Sequence, residues 1–230
     1  MGKIPTIESL FFNILNYSFL LFPLLFFYRF KKFTNEPTFV IIFTYSICFF
    51  LILILDPILP QDSMGLKIYY SAYTFIEYLF FLLIIWQNIS SKNFKVLMLI
   101  LSLAFFGFQI FYFLSYKIRK PIDAIPIAIE SILIIIFCFY FFHEQLKNLT
   151  TLAIYNNYFF WTAIGLVLYL AGSFFIYILS NNLGHDVSKY WFISYIFDTI
   201  KNIFFAISAI IFLRQKNSTS RTRVISNLDY

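Results

Sequence analysis

Seven long apolar runs follow one another along this chain, and each approaches the roughly 20 residues that a helix needs to cross the hydrocarbon layer of a bilayer. They cover residues 7–28, 38–55, 68–87, 96–116, 122–142, 159–179 and 190–213. Lipid offers no hydrogen bonds to the backbone, so a spanning segment is a helix or part of a closed barrel. The period-2 alternation of barrel strands is absent here. The runs therefore predict an all-α, polytopic membrane bundle of seven transmembrane helices. Composition excludes the main alternatives. Of 230 residues, 61% are hydrophobic and only 12% charged, too little charge to cover a soluble domain of this size. Two cysteines exclude a disulfide scaffold.

Orientation follows from where Lys and Arg fall. With the N-terminus outside, the inner ends carry Arg29, Lys31, Lys32, Lys92, Lys95, Lys147, Arg214, Lys216, Arg221 and Arg223. The outer ends carry Lys3, Lys67, Lys117, Arg119, Lys120 and Lys189. Ten against six, with Lys201 inside the last run, predicts N-out and C-in, although the cluster at 117–120 runs against the rule. The first run is too long for a cleaved signal, and basic residues follow it where small ones belong. The expected location is a cell membrane, such as a bacterial inner membrane. The net charge of +6 reads as topology and as attraction to anionic lipid, with no basic stripe for nucleic acid. Gly2 sits in a myristoylation-like pattern, which a chain with seven spans does not need. Asn88, Asn148 and Asn217 open glycosylation triplets, but all three fall on the predicted inner side.

Residues 1–216 form one transmembrane domain, and 217–230 a polar tail expected to be disordered and cytoplasmic. That tail is too short for a catalytic output, so any signal is expected to pass to a separate cytoplasmic or membrane partner chain.

Ionisable side chains inside a span are costly and default to a functional expectation. Glu77 lies in the third run, Glu130 in the fifth, and Asp198 and Lys201 in the seventh. Counted from the same face, each lies some 8 to 11 residues along its helix, roughly 12–17 Å deep at 1.5 Å per residue. The four are thus predicted at one level. Asp198 and Lys201 are three apart and share a helix face. Lys201 also has Glu77 or Glu130 as a partner across the bundle. Three carboxylates against one amine leave a formal −2, so protons, a cationic ligand or ion, or entering water must offset the charge. Tyr70, Tyr73 and Glu77 follow i, i+3, i+7 spacing on one face, and Asn202 follows Lys201. Together, Glu77, Glu130, Asp198, Lys201, Asn202, Tyr73 and Tyr70 are the candidate ligand or ion site, an outward-opening polar pocket ringed by aromatics.

Further polar residues lie near that level: Asn13, Asn16 and Tyr17, then Tyr69 and Tyr78, Gln109 and Tyr112, Tyr169 and Ser173, and Tyr195. The same residues equally suit interhelical hydrogen bonds that fix helix order. In four runs Glu8, Glu77, Glu130 and Lys201 each follow an Ile, a pattern that a repeated hairpin or the abundance of Ile and Phe would each explain. Pro126, one turn before Glu130, is a candidate kink. Ala171-Gly172-Ser173 is a candidate close-packing point.

Catalytic signatures are missing. His143 and His185 fall at opposite membrane faces, which argues against a zinc site, and Cys48 and Cys138 read as buried apolar residues. No nucleophile-elbow, Walker or dinucleotide motif occurs, so neither catalytic nor metal residues are assigned, and a carboxylate-based intramembrane enzyme is a remote alternative. Seven helices, the Lys201 and Asp198 pair and Glu77 resemble microbial rhodopsins, which would imply retinal on Lys201. The Asp-to-Lys spacing is three where that family has four, and its Arg, Thr, Trp and Pro pattern is missing, so no cofactor is expected. The stretch Phe160-Trp161 through Leu168-Tyr169-Leu170-Ala171-Gly172-Ser173-Phe174-Phe175, then Lys201-Asn202-Ile203-Phe204-Phe205-Ala206, resembles uncharacterised seven-helix proteins of Bacteroidota. That resemblance, over the last third of the chain, implies a sensory input module beside a sensor histidine kinase. The functional expectation is a receptor-like sensor module, with an ion- or proton-coupled transporter and a structural subunit as alternatives.

Overall fold

The computed structural model describes residues 7–55, 63–115, 124–147, 154–183 and 192–226. Gly2, the 56–62 loop, the 117–120 cluster, Asn148, His185 and Lys189 lie outside the described residues. Among those described, the chain is helical, without a strand. Its helices are α1 (Ile7–Tyr28), a single turn α2 (Phe30–Phe33), α3 (Pro37–Leu55), α4 (Ser63–Asn88), α5 (Lys92–Ser115), α6 (Ala124–Lys147), α7 (Tyr158–Leu183) and α8 (Phe192–Ser226), with a 3₁₀ turn at Ile154–Asn156. All but α2 are long and apolar enough to cross a membrane, and the seven-helix bundle expected from sequence is present.

Helix α8 packs against α7 and α1, α1 against α3, α3 against α4, α4 against α6, and α6 against α7. These contacts close a ring of six helices. Helix α5 stands outside it, against α4 and α6. One stripe of each ring helix turns inward. On α8 that stripe is Ser194, Asp198, Lys201, Phe205 and Ser208, spaced by fours and threes. On α7 it is Thr162, Leu166, Tyr169, Ser173 and Ile176. The opposite faces are also apolar. On α1, Leu10, Ile14, Leu21 and Leu24 are exposed while Leu15, Phe19, Phe22 and Phe26 are buried. Both core and lipid favour apolar side chains, so polarity alone does not mark the inward face.

Helices α7 and α8 approach closely at two glycines. A Cβ on Gly165 would come within 2.6 Å of the Phe204 Cβ, and one on Gly172 within 2.3 Å of the Phe197 ring. Each pair lies seven residues from the other, so two turns of α8 seat against α7. The close-packing point expected at Gly172 is therefore there, joined by Gly165. Pro126 falls in the first turn of α6, where its missing N–H has no helical partner to lose, so the expected kink is not needed.

Side chains tie the end opposite the cavity described below. The Tyr158 hydroxyl donates to Glu36 Oε1 at 2.8 Å, and Asn88 Nδ2 donates to Thr38 Oγ1 at 2.9 Å. With its amide nitrogen so engaged, Asn88 is a structural residue. Glu144, at the end of α6, accepts the backbone N–H groups of Ser90 and Ser91 at 3.0 and 2.9 Å. An anion there also meets the positive end of the α5 dipole. Phe33 of α2 is fully buried against Phe22, Phe26, Phe39 and Phe212, which pins the turn between α1 and α3. Cys48 and Cys138 are free. The α8 backbone stays helical to Ser226, through most of 217–230 where the sequence predicts disorder, because no Pro or Gly follows Leu213 to stop its propagation.

Candidate functional site

Glu77 on α4, Glu130 on α6, and Asp198 and Lys201 on α8 all turn into the ring and are buried. The void that Glu77 shares with Glu130, and the contacts of Lys201 with Asp198 and Glu77, place them at one level. Of the four residues in the Ile-containing motif, Glu77, Glu130 and Lys201 converge, whereas Glu8 is exposed in the first turn of α1.

Lys201 is the hub. Its side chain is 0% exposed, and Nζ lies 2.5 Å from Asp198 Oδ1 and 3.9 Å from Glu77 Oε1. It also donates to the Tyr45 hydroxyl. The Tyr45 hydroxyl donates in turn to Glu77 Oε1 at 3.2 Å, so α3 bridges α8 and α4. Tyr169 on α7 donates to Glu77 as well, at 3.0 Å to Oε1 and 3.2 Å to Oε2. Four rings surround the ammonium, with centroids at 4.0 Å (Tyr169), 4.7 Å (Tyr45), 5.5 Å (Phe19) and 5.5 Å (Phe81). Ring faces are negative, so they replace part of the hydration that burial removes.

The two glutamates differ sharply. Glu77 has two phenol donors and an ammonium beside it. Glu130 Oε1 has no hydrogen-bond partner among the described residues. Between them lies a void of about 20 Å³, lined by both glutamates with Thr74, Ser131, Tyr169 and Ser173. A larger cavity of about 140 Å³ adjoins it, sharing Tyr73, Thr74, Ile127, Tyr169 and Ser173. Tyr69, Tyr70 and Tyr195 wall this cavity, Phe12 closes one side, and Asp198 reaches it from α8. Its lining comes from the first halves of α1, α4, α6 and α8, the second half of α3 and the middle of α7, so it lies toward one end of the bundle.

The expected residues thus fall into three places. Asp198, Tyr70 and Tyr73 line the larger cavity, Glu77 and Glu130 the smaller, and Tyr73 both. Lys201 and Asn202 line neither. Lys201 stands among the rings, and Asn202 donates instead to Ser18 Oγ on α1 at 2.8 Å. Asn202 therefore joins α8 to α1.

The wider polar set divides in the same way. Tyr169, Ser173, Tyr69 and Tyr195 belong to the cavities. Tyr78 pairs with Ser102, and Gln109 donates to the Ser71 carbonyl, both of them ties to α5. Asn13 and Tyr17 face outward, Tyr17 at 72% exposure. Three participants are new. Tyr45 is the bridge between Lys201 and Glu77, and its signal is the polar triplet Thr44-Tyr45-Ser46 in mid-run. Thr74 shares the helix face of Tyr70 and Glu77. Ser131 follows Glu130 directly.

A buried ammonium tied to carboxylates through phenols can hold a fixed charge arrangement and exchange protons along hydrogen bonds. The cavity beside it can admit a small polar or cationic molecule. The chain matches no protein-family model, no curated protein and no solved structure.

Proposed function

We propose that this multi-pass membrane protein is a receptor-like sensor module. A small ligand enters the aromatic-walled cavity, meets Asp198, and alters the Asp198–Lys201–Glu77 arrangement. The observation that carries this reading is the cavity itself. Its volume of about 140 Å³ is close to the roughly 150 Å³ that accommodates a benzene-sized guest, and a buried charged residue reaches it. Lys201 touches groups on α1, α3, α4 and α7, so a change at Asp198 acts on most of the ring. The close seating of α8 on α7 offers a rigid path toward the far end, where a separate signalling chain in or beneath a bacterial inner membrane would read it. N-out topology gives the ligand an outer origin, and the resemblance of the last third to kinase-associated proteins supports the same direction.

A second reading, an ion-coupled carrier, is favoured by the void between Glu77 and Glu130. The two separate in one reconstituted system. With Cys48 and Cys138 replaced by Ala, S194C places a thiol in the cavity, and a methanethiosulfonate ethylammonium reagent supplies a tethered cationic guest. Sensing predicts altered emission from Trp161, near the far end of α7, with no proton or sodium flux down an imposed gradient. Flux that disappears in E77Q establishes the carrier instead. Neither emission change nor flux leaves the buried charges a structural role and removes the sensor reading.

A further inference from the structure

We propose that the void between Glu77 and Glu130 is a binding site for a small monovalent cation of sodium size. The inference holds whether the protein senses or carries.

The two polar atoms that point to a missing ligand are Glu130 Oε1 and Ser173 Oγ. Both residues are 2% exposed, both line the void, and neither atom has a hydrogen-bond partner among the described residues. Leaving such acceptors unmatched in a membrane interior is costly, and a carboxylate oxygen is the costliest case.

The remaining walls are rich in acceptors and poor in donors. The Ser131 hydroxyl proton goes to the Ile127 carbonyl at 2.8 Å, and the Thr74 hydroxyl proton to the Tyr70 carbonyl at 3.0 Å. Each oxygen therefore has only lone pairs left to offer. The Tyr169 proton goes to Glu77. Among Thr74, Ser131, Tyr169 and Ser173, only the Ser173 hydroxyl has no partner among the described residues, and Tyr73, Ile127 and Leu170 complete the lining. Lone pairs gathered around a void without matching N–H or O–H groups are complementary to a cation.

Charge points the same way. Glu77, Glu130 and Asp198 face a single ammonium, Lys201, whose close contacts are Asp198, Glu77 and Tyr45. Glu130 is left outside that set. One added positive charge at the void would serve Glu130 first and Glu77 second.

Size and ligand type select the ion. About 20 Å³ exceeds the roughly 10–15 Å³ that a single water-sized occupant needs, and leaves no room for an organic cation. Among the described residues, no three His, Cys, Asp or Glu side chains gather closely enough to cage a metal ion. A monovalent ion is content with one or two carboxylates and several neutral oxygens, as this void provides.

The test is thermal unfolding of the intact protein in lipid nanodiscs. Sodium chloride is exchanged for N-methyl-D-glucamine chloride at constant ionic strength, at several fixed pH values. A bound ion raises Tm with a saturable dependence on sodium. The expected result is a rise of a few degrees in the wild type, absent in E130Q. In S173A, which removes one ligand and no charge, the half-saturating sodium concentration increases several-fold. A wild-type Tm indifferent to sodium at every pH would show that the void holds water or only a proton, and would overturn the site. An equal sodium response in the wild type and E130Q would overturn it too, by placing the ion elsewhere.

Discussion

Lys201 is the residue on which the interior depends. An amine buried among four aromatic rings persists because Asp198, Tyr45 and Glu77 meet it. Removing one partner of a buried pair leaves the others charged and dry, at a cost of about 3–5 kcal/mol. K201M should therefore lose stability in that range in detergent unfolding titrations, although Met fills similar space. K201M/D198N should recover most of the loss, because the second change removes the stranded carboxylate. If the double variant is as unstable as the sum of the singles, the pair is not the organising contact. Tyr169 supports Glu77 from the opposite side. Y169F keeps the ring and removes the donor, and a hydrogen bond to a charged group is worth about 1.5–3 kcal/mol. The same titration checks that loss, which should shrink in an E77Q background where the acceptor is already neutral. Sequence revealed the charged members of this cluster because Glu, Asp and Lys are conspicuous in apolar runs, and counting residues from each run's start gave their common level. It did not reveal Tyr45 or assign Tyr169 its role. Phenols are inexpensive in membranes and frequent in this chain, with 17 Tyr in all, so none stands out before its neighbours are known.

At the scale of helices, α7 and α8 depend on backbone approach and α5 on side-chain ties. Gly165 faces the Phe204 Cβ, an atom that moves only with its helix, so G165A must push α8 away. Overpacking of that kind costs about 1–3 kcal/mol. G172A meets the Phe197 ring, which can turn aside in part, and should cost less. Gly107 on α5 faces outward with nothing within 4 Å of an added Cβ, so G107A should be neutral or gain up to about 1 kcal/mol from helix propensity. Thermal unfolding of the three variants gives the expected order; a G165A as harmless as G107A would contradict the packing. The peripheral place of α5 could not be read from sequence. A helix that is apolar on all sides fits a ring interior and a lipid boundary equally well. Only Ser102 and Gln109 mark its inner face, and each fits more than one partner. The seven runs were readable for the converse reason, since length and hydropathy alone decide what crosses a bilayer.

For the molecule as a whole, a ring of six helices encloses charge near its middle and opens a cavity toward one end. Lys201, Tyr45 and Glu77 separate that cavity from the opposite half, where Thr162 and Ser208 hydrogen-bond at 2.8 Å and Glu36, Tyr158 and Asn88 fasten the far end. This arrangement predicts access to the buried charges from the cavity side and not from the other. The Lys and Arg count predicts that the cavity end faces outward, because the first halves of α1, α4, α6 and α8 form it. Cysteine accessibility measures this most directly. In intact cells carrying the protein without its native cysteines, S194C lies in the cavity and S208C lies beyond Lys201 on the same helix. A membrane-impermeant maleimide added outside should label S194C and leave S208C untouched, while both label after denaturation. An S194C that stays unlabelled in the folded protein, or an S208C that reacts alongside it, would contradict a one-sided cavity ending at the buried charges.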